Sequence, residues 1–334
     1  MNTRLATRIA VFIILAAACV WLLMRLDWFE VGRTLSGASP PRLAGMIIAW
    51  LAALFLRPLR FKYLLGKLGH DDGVTYRTVW AALMLGGAVN SFTPMRGGDA
   101  AMMIFLRQRL GIGVHRTFTV VVTDWVCDFT CVAISFLGAL TFAPAVAAWT
   151  GHAVILLIGF LVAGASGFAA VLLFHKRFLA VLDVLLSRIA PNKRQRILEI
   201  VREIFASFAA IGTWRVGVIL VFLSVLIWSL TWLSYWLGIG AVFAGAGPAA
   251  AAFSMAASTL SFAVPLGPGG LGTFEASTTI ALAVFNVPLE AAIPFAVIAH
   301  ALQLGSLAVL IALAILTRQI DFKSLRNAGP DRPL

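Results

Sequence analysis

Charge is scarce in this sequence. Asp, Glu, Lys and Arg make up 12% of its 334 residues, where soluble domains carry about 25%. Apolar residues reach 61%, against about 45–50% in soluble domains, and one soluble core cannot hide that much. The composition excludes a soluble domain and specifies a polytopic membrane protein. Cysteine is equally sparse. Cys19, Cys127 and Cys131 all lie in apolar runs, which points to neither a disulfide framework nor a paired-cysteine metal site. A spacing of four places Cys127 and Cys131 on one helix face, where packing is the ordinary role. Also missing are a nucleophile elbow, a Walker loop, an HExxH helix and a strand-flanked dinucleotide fingerprint. No catalytic residue, metal or cofactor is expected.

The charge that is present is lopsided, with a net value of +12. The cations are spread between apolar runs rather than gathered in one patch, so nucleic acid is not an expected partner. They report topology instead. Six runs are long enough to span: 6–26, 42–62, 117–140, 152–174, 215–243 and 290–317, at about 20 residues per crossing. The apolar core of the first, Ile9–Met24, follows Arg4 and Arg8 and imitates a signal peptide. No small-residue cleavage site follows it, so it reads as a retained helix. Two further apolar stretches, 78–106 and 249–286, are interrupted. Before its break the first offers Thr78–Asn90, about 20 Å of helix, short of a hydrocarbon core of about 30 Å.

The two interruptions are faint copies of one another. Ser91–Asp99 reads SFTPMRGGD, and Ser261–Glu275 reads SFAVPLGPGGLGTFE. Each begins Ser-Phe, runs through proline into paired glycines and ends on a carboxylate. Gly/Pro-broken apolar segments at matching places in two halves point to a transport site. Suppose each is a hairpin returning to the side it entered, with the N-terminus cytoplasmic. Then 22 of the 26 Lys and Arg residues fall in cytoplasmic segments, Arg57, Arg60, Lys62, Lys67 and Arg77 among them. A single crossing by the first stretch would instead turn the basic loop 175–215 outward.

The expected fold is therefore all-α, with about six transmembrane helices and two oppositely oriented re-entrant hairpins. These form an inverted repeat of units 42–140 and 215–317 within one membrane domain, 1–317, followed by a cytoplasmic tail, 318–334. The hairpin tips must lie inside protein or line a wet cavity. Loop 175–215 places Ile197, Ile200, Ile204, Phe205 and Phe208 on one face of an expected interfacial helix at the cytoplasmic surface.

Ionisable groups inside apolar segments are costly, which makes each a functional candidate. They are Arg96, Asp99, Asp124, Asp128, Glu275 and His300, with Asn90 and Gln303 as polar neighbours. Gly97-Gly98 and Gly269-Gly270-Leu271-Gly272 open the returning half-helices, whose free N–H groups suit a phosphate or carboxylate. Asp99 and Glu275 either cap those helix starts or take part in proton or cation coupling. Asp124 and Asp128, four apart, share a face. They read as a proton carrier, or one of them neutralises Arg96 in a buried pair. Arg96 otherwise clamps a phosphate through its planar fork. His300 is a satisfied helix histidine or a titrating group.

These motifs resemble a known family. Asn90 through Pro94 and Arg96 to Gly98-Asp99, then Asp124, then Pro268-Gly-Gly270-Leu-Gly272-Thr-Phe-Glu275 together are similar to the lysylphosphatidylglycerol synthase transmembrane, flippase-like family over residues 10–317. The resemblance implies movement of a lipid between leaflets. The aminoacyl-transfer domain of fused members is soluble and follows the membrane part, so synthase activity is not implied for a chain that stops at Leu334. Arginines that the family commonly carries are replaced here by Met102 or Met103, Trp125, Phe274 and His300. Loss of those cations argues against a multiply charged headgroup and brings a hopanoid or other polyisoprenoid into consideration.

The expected protein is a lipid transporter working by alternating access, with proton coupling, on an anionic phospholipid, a polyprenyl phosphate or a hopanoid-type lipid. Asn90, Pro94, Arg96, Gly97, Gly98, Pro268, Gly269, Gly270 and Gly272 are the expected substrate-binding set. Asp99, Asp124, Asp128, Glu275 and His300 are the coupling set. The rivals are a non-catalytic partner of a lipid-modifying or glycosyltransferase complex and an enzyme acting on a membrane lipid. Expected partners are the lipid itself, a lipid-biosynthesis enzyme and a second copy of the chain. The expected location is the bacterial cytoplasmic (inner) membrane, multi-pass, with both termini cytoplasmic.

Overall fold

The computed structural model describes residues 32–33, 36–69, 73–91, 93, 97–142, 174–189, 191–262, 268–317 and 319–320. The expected spans 6–26 and 152–174, most of the tail, and the site candidates Pro94 and Arg96 lie outside them. Within the described residues there are ten α-helices and no strand. They are α1 Pro40–Lys67, α2 Tyr76–Asn90, α3 Gly97–Leu110, α4 Val114–Leu140, α5 His175–Ile189, α6 Arg194–Ile211, α7 Trp214–Val242, α8 Pro248–Ser261, α9 Thr273–Ala283 and α10 Leu289–Leu316.

Four of these, α1, α4, α7 and α10, are 27 to 29 residues long and apolar enough to cross a membrane. Each is about 40 Å long, ample for a hydrocarbon core of about 30 Å. They coincide with the expected spans at 42–62, 117–140, 215–243 and 290–317. Large apolar side chains such as Ile48, Ile134, Phe222 and Val309 stay exposed on them, the surface that a lipid environment requires. The chain is a multi-pass helical membrane protein.

Local sequence explains the boundaries. Proline opens α1 and α8, where its missing N–H costs nothing. Thr75 and Thr213 cap α2 and α7 by accepting the amide N–H of Thr78 and Val216. Gly111 ends α3 in the left-handed region at φ 69°. Pro58 sits inside α1 and removes a ladder donor. Nearby, the Tyr76 hydroxyl donates to the Phe55 carbonyl at 2.8 Å, tying the start of α2 to that turn.

The interrupted stretches form two helix pairs, α2 with α3 and α8 with α9. Each pair is wrapped by its own apolar cluster. Phe61, Leu65, Val79, Ala82, Phe105, Leu106 and Val120 surround the first. Ile227, Tyr235, Met255, Phe274, Phe295 and Ala299 surround the second. Among the described residues the most extensive packing joins α1 to α7, so the first described long helix is bound directly to the second half of the chain.

Two expectations are corrected. Residues 175–211 form two helices, because Pro191 starts a short 3₁₀ turn between α5 and α6. Ile197, Ile200, Ile204, Phe205 and Phe208 all lie on α6, where Leu198, Ser207 and Ile211 are the residues buried within the protein. The second concerns Arg57 and Arg60. The sequence places them among the cytoplasmic charges at the end of the run 42–62, but the helix continues to Lys67 and both pair inside the protein with aspartates of α4.

Candidate functional site

The described candidates gather at two places. The first is an ionic node where α1, α4 and α7 meet. A spacing of three puts Arg57 and Arg60 on one face of α1, and a spacing of four does the same for Asp124 and Asp128 on α4. Arg60 is completely buried. Its Nε donates to Asp124 Oδ1 at 2.8 Å, its Nη2 to Asp128 Oδ1 at 2.7 Å, and its Nη1 to Ser224 Oγ at 2.9 Å. Arg57 Nη1 reaches Asp128 Oδ2 at 3.2 Å, and Trp228 Nε1 donates to Asp128 Oδ1 at 2.9 Å.

Two cations and two anions make this node electrically neutral. Burying any one of these charges alone would be prohibitive, whereas a paired and fully hydrogen-bonded set is tolerated. The Asp124–Asp128 pair finds counter-charge in Arg60 and Arg57; Arg96, its partner in one reading of the sequence, lies outside the described residues. Arg60 is the site residue that sequence reasoning missed. The available signal was an arginine pair in LFLRPLRFKYLL, with apolar residues on both sides.

The second place is where the two broken segments meet. The peptide N–H of Gly269 donates to the carbonyl of Ser91 at 2.5 Å. That bond joins the break after α2 to the break before α9. On the first side, Asn90 Oδ1 accepts the Gly98 amide at 2.7 Å while its Nδ2 donates to Asp99 Oδ1 at 3.2 Å. Asn90 thereby caps the start of α3 and holds its carboxylate.

On the second side, Gly269, Gly270 and Gly272 all have positive φ, at 65°, 77° and 83°. Only glycine adopts this freely, so the turn itself requires them. Glu275 Oε2 accepts the Gly272 amide at 2.8 Å, the N3 carboxylate reaching back to the cap. Glu275 Oε1 lies 2.7 Å from His300 Nδ1, and His300 Nε2 lies 2.9 Å from the Gly269 carbonyl oxygen. The imidazole is buried and stacked on Phe274 with ring centres 4.4 Å apart. One turn further along α10, Gln303 Nε2 donates to the Tyr235 hydroxyl at 3.2 Å, which meets Ser258 Oγ at 2.7 Å.

The structure thus brings Asn90, Gly97, Gly98 and Asp99 to one break and Pro268, Gly269, Gly270, Gly272, Glu275 and His300 to the other. Asp124 and Asp128 belong to the separate ionic node. Among the described residues no three His, Cys, Asp or Glu side chains are grouped to hold a metal ion.

An all-helical membrane protein with two broken helix pairs joined through their breaks belongs, as a class, with polytopic membrane proteins rather than soluble enzymes. More specifically, the chain belongs to the family described as the lysylphosphatidylglycerol synthase TM region, which matches residues 7–312. No curated protein and no solved structure matches it. The match is to the transmembrane part of the synthase, not its catalytic domain, and places the protein in a family linked to lipid handling.

Proposed function

We propose that this protein moves a lipid between membrane leaflets by alternating access. In this reading α2–α3 and α8–α9 are re-entrant hairpins of opposite orientation. With the expected spans 6–26 and 152–174, they complete an inverted repeat of units 42–140 and 215–317 in a bacterial inner membrane, with cytoplasmic termini. The observation that carries the reading is the Gly269–Ser91 bond. It links two broken apolar segments, each too short to cross alone, and opposed broken helices of this kind hold the substrate site in inverted-repeat transporters.

The substrate headgroup sits at the joined tips, with its acyl or isoprenoid part in lipid. The amides of Gly98, Gly269 and Gly272 are already bonded to Asn90, Ser91 and Glu275. Three donors that would meet a phosphate at a helix start are thus taken within the protein. Arg57 and Arg60 are likewise committed to aspartates. Both facts favour a headgroup with few charges over a multiply charged phosphate.

Purified protein in proteoliposomes, assayed for leaflet exchange of labelled phosphatidylglycerol, a polyprenyl phosphate and a hopanoid, tests this. Exchange of one lipid above protein-free vesicles is expected, with the weakly charged lipid fastest. No exchange of any lipid by folded protein overturns the reading.

A further inference from the structure

His300 is held between two groups that both act as acceptors. The Gly269 carbonyl can only accept, so the contact at Nε2 is a hydrogen bond only when Nε2 is protonated. The Glu275 carboxylate faces Nδ1, and one further proton must lie between them, on Nδ1 or on Oε1. The arrangement as it stands therefore needs two protons on the His300–Glu275 pair. Remove one, and the remaining proton can satisfy only one contact. Either the bare Nδ1 faces the carboxylate at 2.7 Å, or the bare Nε2 faces the carbonyl at 2.9 Å.

The choice between these is settled by strength. A hydrogen bond to a charged carboxylate is about twice as strong as one to a neutral carbonyl. The last proton stays at Nδ1, and the Gly269 contact becomes a repulsion between lone pairs. The ring has little room to turn away, being 2% exposed and stacked on Phe274. Gly269 is the residue whose own N–H holds Ser91 across the joint.

We infer that Glu275 and His300 form a binding site for a single proton, and that its occupancy latches the two broken segments together through Gly269. With the proton bound, His300 holds the Gly269 carbonyl and the Gly269 amide stays aligned on Ser91. With the proton lost, the pair becomes a monoanion, His300 lets go, and the joint is free to open.

Glu275, with about a fifth of its side chain accessible, is the route by which the proton arrives. Of the elements packed on α10, α9 brings only Glu275 and α2 brings Tyr76 and Arg77, at the end remote from Asn90. α7 brings Arg215 and Tyr235, the latter bonded to Ser258 and Gln303. Glu290 lies on α10 itself, ten residues and about 15 Å away. From α1, Arg57 and Arg60 face Asp124 and Asp128. Among the described residues, Glu275 is the titratable partner in contact with His300.

The bearing of this latch on lipid movement rests on the transport reading, but the latch is measured without lipid movement. Hydrogen exchange of the Gly269–Gly272 segment is followed in the full-length protein in nanodiscs from about pH 5 to about pH 8. Rates are corrected for the intrinsic pH dependence of exchange. The wild-type segment is expected to lose about tenfold in protection as pH rises, the order of one hydrogen bond to a charged group, with a one-proton profile.

Two variants should move in opposite directions. In Glu275→Gln the amide donates to Nδ1 while its oxygen still accepts Gly272, so the latch stays closed at every pH. In His300→Ala the segment stays unprotected at every pH. A flat wild-type profile overturns the proposal, and so does equal loss of protection in both variants. A pH-dependent latch in a protein that moves no lipid leaves the latch standing and removes the transport reading. Lipid movement with a flat profile does the reverse.

Discussion

The carbonyl oxygen of Gly86 occupies the place where a side chain on Gly98 would begin: a Cβ there would lie 1.9 Å from it. The same Cβ would come within 2.7 Å of the Asn90 amide nitrogen. Glycine at 98 thus lets α2 and α3 approach backbone to backbone. Gly98→Ala should separate the pair and destabilise the protein by at least the 1–3 kcal/mol, roughly, of ordinary overpacking. Gly86→Ala, whose Cβ meets its nearest atoms at 3.2 Å, should be milder. Thermal unfolding of both variants in detergent makes the comparison, and equal stability would refute it.

The ionic node predicts a ranking. Asp128 accepts from Arg57, Arg60 and Trp228, whereas Asp124 is paired with Arg60. Asp128→Asn should therefore cost more than Asp124→Asn. Arg60→Met, which leaves half-buried Asp124 without its cation and Asp128 with only Arg57 and Trp228, should be the worst at about 3–5 kcal/mol. Arg60→Lys should not rescue, because a single ammonium cannot reproduce three donors spread over a planar fork. Denaturant unfolding reads the order.

Tyr235 joins α7, α8 and α10 through one hydroxyl bonded to Ser258 and Gln303. Tyr235→Phe leaves both partners buried or nearly so. A loss of about 1–3 kcal/mol is expected, recovered in part when Ser258→Ala is added. A double-mutant cycle with no coupling would show that the hydroxyl does not join the two sites.

At the polar surface, Arg194 donates to both carboxylate oxygens of Asp183 at 2.7 Å. These hydrogen bonds hold the Asp183 carboxyl below its ordinary value. A depressed folded value means that the pairing stabilises the fold above the unfolded value of about 3.9. That contribution disappears as pH falls through the lower folded value. Both groups stand in solvent, so the effect is small and salt-screened. Protection of α5–α6 against proteolysis should hold from about pH 8 to about pH 4, loosen below that, and lose this acid step in Asp183→Asn.

The proposed opposed hairpins predict a sidedness that can be labelled. Gln108 closes α3 and Leu289 opens α10, and both are exposed. In a protein whose native cysteines have been replaced, Gln108→Cys and Leu289→Cys should react with an impermeant maleimide from opposite faces of the membrane. Labelling from the same face would remove the inverted arrangement.

Sequence and structure agree where a single segment decides its own shape. Four long apolar runs became α1, α4, α7 and α10, and the two Gly/Pro motifs fall between α2 and α3 and between α8 and α9. What the sequence concealed depends on partners far along the chain. Arg57 and Arg60 looked like topology charges because they sit at the end of the run 42–62, beside Lys62 and Lys67. The aspartates that neutralise Arg60 are 64 and 68 residues away. Gly98 reads as a helix opener, and only the position of Gly86 shows why it must be glycine. Glu275 was legible as a cap from its place at the start of the returning half-helix. Its contact with His300, across 25 residues, was not.

The joint between the breaks has a counterpart along α1 and α7. There Ser39 N bonds the Ala241 carbonyl, Arg42 the Gly240 carbonyl, Ser234 Oγ the Met46 carbonyl and Arg60 the Ser224 hydroxyl. That edge is stitched at four heights, from the start of α1 to the ionic node, while among the described residues the facing breaks are joined by the single backbone hydrogen bond from Gly269 to Ser91. If the halves of the molecule move against each other, they part at the breaks and swing about the stitched edge. α1 and α7 then act as the spine of the motion, and the neutral ion cluster in that spine stays intact while the pages turn.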